Sequence, residues 1–568
     1  MTPGPNGDGS GGGSYVRSTV PAGLALLLLV AAFHSLPRYS ITWDEALGDL
    51  FFGERYFSFF SSFDPTYLDF RRDVYPVGRV PDLSATPFRG EPRLFYPVAN
   101  TLAAGTSALL SRRLRLLDPF DGFHALNLFL GAILVVAVHR FVVPLFGRAA
   151  AAASVIALFL CPRTVADLFA NIKDFPEMVF FSLAAMAFAT GLDSGSQRTV
   201  AGAGILWGLA LGTKANALFL PIIPALTLLG GVPDPWRGRR RAILLSGFAA
   251  FLLGLAVWLM SWPWLWTDPV GRLSRHLSYF ILRGTGGGVT AAHTEPALEA
   301  LVLTTPVPFL ALFAFGMPET VTRARRELRP RILLVWIGVV VARLLVPGAL
   351  NFDGVRHFLE IFPPMAIVVG AGLSRLAGAA AEQAHRALSA SAAPFLAATL
   401  AFVLPLGAMA ASLAGAHPFE TAYWNFLGGG LAGARQRGTA QAGDYYAASY
   451  RVGLRWLDAN APPGSFVAVP IAEHVVRLTA PLWLRPDIHL VHTTEPVSGR
   501  VSPESLRQLA RLSRRQAVFV LFARRSDWMN ELTDECIARL RPEVEWKRDG
   551  EAVLEIYRLP PSAPAGER

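Results

Sequence analysis

The chain has 568 residues, 52% of them hydrophobic and only 17% charged, with a formal net charge of +10. A soluble protein of this size carries about 25% charged residues, so composition excludes the ordinary soluble class. The positive balance needs no nucleic-acid partner, because arginines cluster in short loops between apolar runs, as membrane topology requires. Cys161 and Cys536 lie in separate regions, which excludes a disulfide framework and a cysteine-rich metal site.

In chain order, residues 1–18 open with the Gly- and Pro-rich "MTPGPNGDGSGGGS" and read as a disordered cytoplasmic tail. Apolar runs then predict eleven spans near 19–36, 121–143, 148–166, 175–192, 199–213, 215–230, 242–264, 297–317, 331–347, 357–374 and 391–414. The first run, preceded by Arg17, also has features of a signal peptide; retained or cleaved, it leaves the next loop outside. The two short runs meeting at Lys214 read as a hairpin. With the N-terminus inside, that reading puts "WRGRRR" (236–241), "TRARRELRPR" (322–331) and Arg375 to Arg386 on the cytoplasmic side. A first external loop (37–120) then holds amphipathic segments near 44–62 and 97–114, expected on the membrane surface.

The expected architecture is an α-helical polytopic membrane protein. A transmembrane domain (19–414) is followed by a linker (415–440) and a small extracytoplasmic α/β domain (441–560). In that last part "YRVGLRWLDANAPPGSFVAVPI" and "PESLRQLARLSRRQAVFVLFARR" each read as helix then strand, and "VEWKRDGEAVLEIYRL" as a hairpin around Asp549-Gly550.

This topology collects polar residues at one membrane surface: Asp44 and Glu45, Lys173 and Asp174, Lys214 and Asn216, then Asp353, Arg356 and His357. Ionisable groups at that depth are costly unless they face a cavity, so they form the candidate site. Carboxylate turns beside basic turns suit a nucleophile on one side and a phosphate on the other.

The ordered set "WDE" (43–45), "NIKDFP" (171–176), "GLALGTKANALFLP" (208–221), "WPWLWTDPVGRL" (262–273), "LTTPVPFLALFAFG" (303–316), "FDGVRHFLEIFPP" (352–364) and "HPFETAYWNFLGGGLAGA" (417–434) resembles integral-membrane glycosyltransferases of the GT-C fold, in the bacterial protein-O-mannosyltransferase-like and aminoarabinose-transferase-like branch. The resemblance spans roughly residues 20 to 460 and says little about the acceptor. It implies an inverting transfer of a sugar from a polyprenyl-phosphate donor to an acceptor hydroxyl on protein, lipid or polysaccharide, at the outer face of the inner (plasma) membrane. By the same resemblance Asp44 is the candidate base, Glu45 orients it or holds a sugar or metal, and Asp174 is the second carboxylate. Lys214, Arg356, His357 and Lys173 are the candidates for the donor phosphate. No cofactor is implied with certainty, and a divalent metal stays open.

Structural readings stand beside these. Thr42-x-x-Glu45 and Asp174-Phe-Pro-Glu177 are capping boxes in pattern. Lys214 fits a snorkelling lysine, Arg356 an interfacial anchor, and Trp262, Trp264 and Trp266 an aromatic belt. His276, His293 and Glu295 share a loop without diagnostic metal spacing. A flippase of a lipid-linked saccharide is the competing function, although such proteins place coupling charges near the midplane.

Overall fold

A computed structural model describes residues 19–561 apart from 71–80, 89, 91, 93, 232, 285–295, 347–350, 352, 389 and 494–500. The expected tail at 1–18 lies outside the described residues, as do His293 and Glu295.

The helices in order are α1 (Val20–Ser35), α2 (Leu50–Ser62), α3 (Pro97–Ser107), α4 (Pro119–Phe159), α5 (Pro162–Ala170), α6 (Asp174–Ser194), α7 (Gln197–Leu211), α8 (Ile222–Leu229), α9 (Arg240–Ser261) and α10 (Pro269–Gly284). They continue with α11 (Ala297–Leu303), α12 (Val307–Ala324), α13 (Leu328–Leu344), α14 (Phe362–Ala387), α15 (Ala393–Ala416), α16 (Gly430–Gln436), α17 (Tyr450–Asn460), α18 (Glu473–Trp483), α19 (Pro503–Leu512) and α20 (Glu531–Arg539).

Every expected span falls on helix, but with different bounds. Six helices among the described residues are long and apolar enough to cross a membrane, or seven if the pair α11 and α12, bent by 107°, is one broken span. The 41-residue α4 holds the span expected at 121–143 and the first part of that at 148–166, which ends in α5, and it is interrupted where Gly147 leaves helical geometry (φ +84°, ψ 175°). α7 and α13 have 15 and 17 residues, and α8 follows a 3-10 turn over Ala215–Phe219, so these three are short against the roughly 20 residues of a square crossing.

Small residues let the helices meet closely. A Cβ on Gly204 of α7 would lie 2.0 Å from the Ala250 carbonyl oxygen of α9, and one on Gly372 of α14 would lie 2.2 Å from that of Leu312 in α12. Such pairings replace the missing hydrophobic drive between helices in lipid. Outward faces stay apolar: Leu26, Leu27, Leu244, Leu245, Phe248, Phe395 and Leu404 are exposed, as a lipid-facing surface requires.

The stretch 44–62 differs from expectation. Glu45–Asp49 form a π turn before α2, and α2 buries Phe51, Phe52, Arg55 and Tyr56 together. It packs on α3 inside the protein. A Cβ on Gly48 would lie 2.3 Å from the Phe95 ring, so only glycine lets this turn seat there.

Residues 415–440, expected as a linker, carry short 3-10 turns and α16. Arg163 Nη2 donates to the Tyr423 carbonyl (3.1 Å) and Nη1 to that of Thr421, which ties this stretch to α5. Beyond it lie five strands, β1 (Phe466–Ala468), β2 (His489–Val491), β3 (Val518–Ala523), β4 (Pro542–Arg548) and β5 (Glu551–Arg558). They form one sheet of order β2-β1-β3-β5-β4, parallel from β2 through β3 and antiparallel through β5 and β4. The β4–β5 turn has positive φ at both Asp549 and Gly550, the two-residue hairpin geometry that Asp-Gly favours.

Candidate active site

The site forms where four turns converge. The π turn carries Asp44 just before it and Asp49 at its end. The break between α5 and α6 presents Lys173 and Asp174, the α7 C-terminus presents Lys214, and the turn before α14 presents Asp353 and Arg356.

Arg356 is central. Its Nη1 lies 2.8 Å from Asp44 Oδ2 and 3.3 Å from Asp174 Oδ2, and its Nη2 pairs with Asp353. Its guanidinium also sits over the Tyr446 ring, 5.0 Å from the centroid. Lys173 Nζ bridges Asp44 (3.1 Å) and Asp49 (3.2 Å). Lys214 Nζ meets Asp174 Oδ1 at 2.6 Å and donates to the Arg356 carbonyl at 3.1 Å. Lys214 is therefore an internal counter-ion, not a snorkelling side chain, and Arg356 is no interfacial anchor.

Accessibility separates the carboxylates. The Asp44 side chain is 27% exposed, while that of Asp174 is fully buried. Asp44 is the member that an outside molecule reaches. Burial opposes its charge, but Lys173 and Arg356 outweigh that and hold its carboxyl well below the usual range. Burial likewise opposes charge on Lys173, but Asp44, Asp49 and Asp174 raise it above the ordinary lysine value. Asp49 behaves oppositely to Asp44: burial, with Asp44 adding, pushes it up to about 6 despite Lys173. Burial, with Asp174 adding, pushes Asp167 in α5 up to about 7.

Asp174 is not capping its helix. Asn171 Oδ1 accepts from the amides of Lys173 (2.9 Å) and Asp174 (2.8 Å), which frees the Asp174 carboxylate. That carboxylate accepts from Asn171 Nδ2 (2.7 Å) and the Tyr446 hydroxyl (2.8 Å). Glu45 is buried and accepts from the Thr42 amide (2.6 Å) and the Ile172 amide (3.1 Å), with His124 Nε2 at 3.1 Å. The half of the capping box that Glu45 supplies is thus present. Burial opposes its charge, yet His124 and Thr42 hold its carboxyl below the usual range. His357 belongs to the same turn, and its carbonyl accepts from Asn216 Nδ2 (2.6 Å) and Arg343 Nη2 (2.9 Å).

Several members were not named from sequence. Asp49 carries no motif; the π turn brings it to the same ammonium as Asp44. Tyr446 and Arg525 arrive from the C-terminal part. Arg525 Nη2 lies 3.0 Å from Asp353 Oδ1, and the Tyr446 carbonyl accepts from the Trp43 amide at 3.0 Å. The Trp43 ring packs between His474 and Trp528, at centroid distances of 4.8 and 4.6 Å. Trp262 and Trp264 are buried and only Trp266 is exposed, so a single member of that trio fits a belt. His276 meets the Tyr96 hydroxyl at 3.1 Å. Among the described residues no three His, Cys, Asp or Glu side chains converge to hold a metal ion; the acidic groups of the site are interleaved with cations instead.

Residues 121–265 match the family described as dolichyl-phosphate-mannose-protein mannosyltransferase. This segment carries Lys173, Asp174 and Lys214. No curated protein matches the chain. Among solved structures, ArnT from Cupriavidus metallidurans bound to undecaprenyl phosphate is 14% identical, with 96% of this chain and 99% of that chain covered and a TM-score of 0.49. The archaeal oligosaccharyltransferase AglB from Archaeoglobus fulgidus, in complex with an inhibitory peptide and a dolichol-phosphate, is 13% identical over 89% and 70% of the two chains, with a TM-score of 0.47. Arabinofuranosyltransferase AftD from Mycobacteria is 14% identical over 97% and 42%, with a TM-score of 0.43. The family match over 121–265 supports the resemblance drawn from the ordered motifs: this multi-pass membrane protein is similar to glycosyltransferases that take lipid-linked sugars.

Proposed function

We propose that this protein transfers a glycosyl residue from a polyprenyl-phosphate donor to an acceptor hydroxyl, at the extracytoplasmic face of the inner (plasma) membrane. The observation that carries the reading is the convergence of Asp44, Lys173, Asp174, Lys214 and Arg356 within one ion network, only Asp44 being substantially open. The network lies where α6 begins, at the end of a helix long and apolar enough to cross a membrane, which supports a site at the depth of a lipid headgroup.

The chemistry follows from the members. The acceptor oxygen bonds to the anomeric carbon, and the bond from that carbon to the donor phosphate breaks with its electron pair left on the phosphate. Asp44 takes the acceptor proton. Arg356, a planar fork suited to two phosphate oxygens, and Lys173 are the cations beside Asp44 that face the leaving charge. Lys214, neutralised by buried Asp174 and bound to the Arg356 backbone, holds that turn in place. Glu45 fixes the Asp44 segment to α4 and to the 172–174 turn. In this state Arg356 is paired to Asp44, which depresses the basicity of Asp44. A donor phosphate competing for Arg356 releases the carboxylate for proton uptake, so donor binding prepares the base.

Membrane fractions given labelled polyprenyl-phosphate sugar test the reading. Label appearing in a new product, lost in Asp44→Asn, is the expected result. Transbilayer movement of intact donor without transfer would assign the site to a flippase.

A further inference from the structure

A second built site lies at the far end of α6 from the ion network. α6 starts at Asp174 in the ion network and runs continuously to Ser194. At 1.5 Å per residue its far end stands about 30 Å away. There Pro144 and Leu145 of α4, beside its Gly147 break, the ends of α6 and α8, and the turn between α12 and α13 line a half-open cavity of about 590 Å³. Arg237, Arg325, Arg326, Arg329 and Arg331 line it, against Asp193, Asp234 and Glu327.

The five arginines are not equivalent. Arg329 Nε pairs with Asp193 at 2.9 Å and Arg237 Nε with Asp234 at 2.8 Å. Arg331 is fixed by carbonyls, donating from Nη1 to Gly230 (2.8 Å) and from Nε to Ala324 (3.0 Å). Gly230 makes room for it, since a Cβ there would lie 3.1 Å from Arg331 Nη1. Arg325 and Arg326 are exposed and make no ion pair among the described residues. The cavity thus keeps unmatched positive charge around a rigid guanidinium.

An apolar track leads into it. Ile222, Leu226 and Leu229 of α8 are 42%, 44% and 82% exposed. Their spacing puts them on one helix face, and Leu229 immediately precedes Gly230. We propose that the cavity holds the headgroup of an anionic phospholipid, with the acyl chains lying along this face of α8. Guanidinium groups pair with phosphate oxygens, and basic pockets between helices at a cytoplasmic surface suit such headgroups. A zwitterionic headgroup brings its own cation into the arginine cluster and is disfavoured.

Purified full-length protein in neutral detergent is titrated with phosphatidylglycerol, phosphatidylcholine or inorganic phosphate, and the melting temperature is followed. Phosphatidylglycerol is expected to raise it, with little effect from the other two. The shift should fall by at least half in Arg325→Gln/Arg326→Gln and persist in Arg375→Gln/Arg386→Gln, which removes basic residues outside the cavity. Native mass spectrometry of the wild type, counting phosphatidylglycerol retained against phosphatidylcholine competitor, gives a readout that needs no variant. Equal stabilisation by phosphatidylcholine, equal loss in the control pair, or no preferential retention overturns the proposal. Stabilisation by inorganic phosphate at matched concentration also overturns it, making the cavity a free-anion site.

Discussion

Arg525, at the end of the third strand of the C-terminal sheet, holds one oxygen of Asp353 at 3.0 Å while Asp353 pairs through its other oxygen with Arg356. The carboxylate is shared between the C-terminal part and the ion network. Arg525→Ala is expected to leave Asp353 free to draw Arg356 away from its place beside Asp44. The donor KM should rise about tenfold for a loss of about 1.4 kcal/mol, with acceptor KM little changed. Arg525→Lys should rescue part of it, because a point charge replaces one bond of a fork. Equal losses in both KM values, tracking a lower melting temperature, would mean a purely structural role.

Asp44→Asn keeps size and hydrogen-bonding capacity but cannot take a proton. Activity should fall by about 10²–10⁴ with little change in folding. Glu45→Gln should show the opposite balance, since Glu45 is buried among the Thr42 and Ile172 amides and His124. Turnover and melting temperature, measured on matched preparations, distinguish the two. Near-wild-type turnover in Asp44→Asn removes it as the base.

Asp174→Asn leaves Lys214 without its carboxylate 2.6 Å away and removes one of three from Arg356. Breaking a buried pair from one side destabilises by about 3–5 kcal/mol, so a marked drop in melting temperature should accompany lost activity. Arg356→Ala should chiefly weaken use of donor, with Arg356→Lys recovering it in part.

The raised Asp49 predicts a pH signature. Its folded value of about 6 lies above the ordinary carboxylate value, so the folded state binds the extra proton. Stability from this group is then greatest below about pH 4, declines as pH rises from there to about 6, and is level above. Asp49→Asn should remove that decline, so the difference in melting temperature between variant and wild type should change across this window and stay constant from pH 7 upward. A difference independent of pH across the window would show that Asp49 is ionised throughout. Asp44, depressed instead, contributes stability that is fully present above the ordinary carboxylate value and is lost progressively as pH falls from there through its lower folded value.

Legibility in the sequence followed locality. The apolar runs gave the helices, and Asp549-Gly550 gave the hairpin, because burial pattern and turn chemistry are written in neighbouring residues. Asp44, Lys173, Asp174, Lys214 and Arg356 could be grouped because alternating spans send their turns to one surface. Asp49 was hidden because a π turn, not the regular helix period, aligns it with Asp44. Tyr446 and Arg525 were hidden because they reach Asp174 and Asp353 across 272 and 172 residues, and no local pattern encodes such a meeting. The same limit misassigned Trp262 and Trp264: a tryptophan cluster beside a helix end reads as interfacial, yet Trp262 donates to the Tyr56 hydroxyl at 3.1 Å inside the protein.

The dependence of Asp174 on Tyr446 and of Asp353 on Arg525 sets an order in time. A ribosome delivers every apolar helix before it delivers either partner. A nascent chain halted within 415–440 has every helix long and apolar enough to cross a membrane, but Asp174 lacks its phenol and Asp353 its second guanidinium. The ion network therefore stays unfinished until the C-terminal part, made last, completes it.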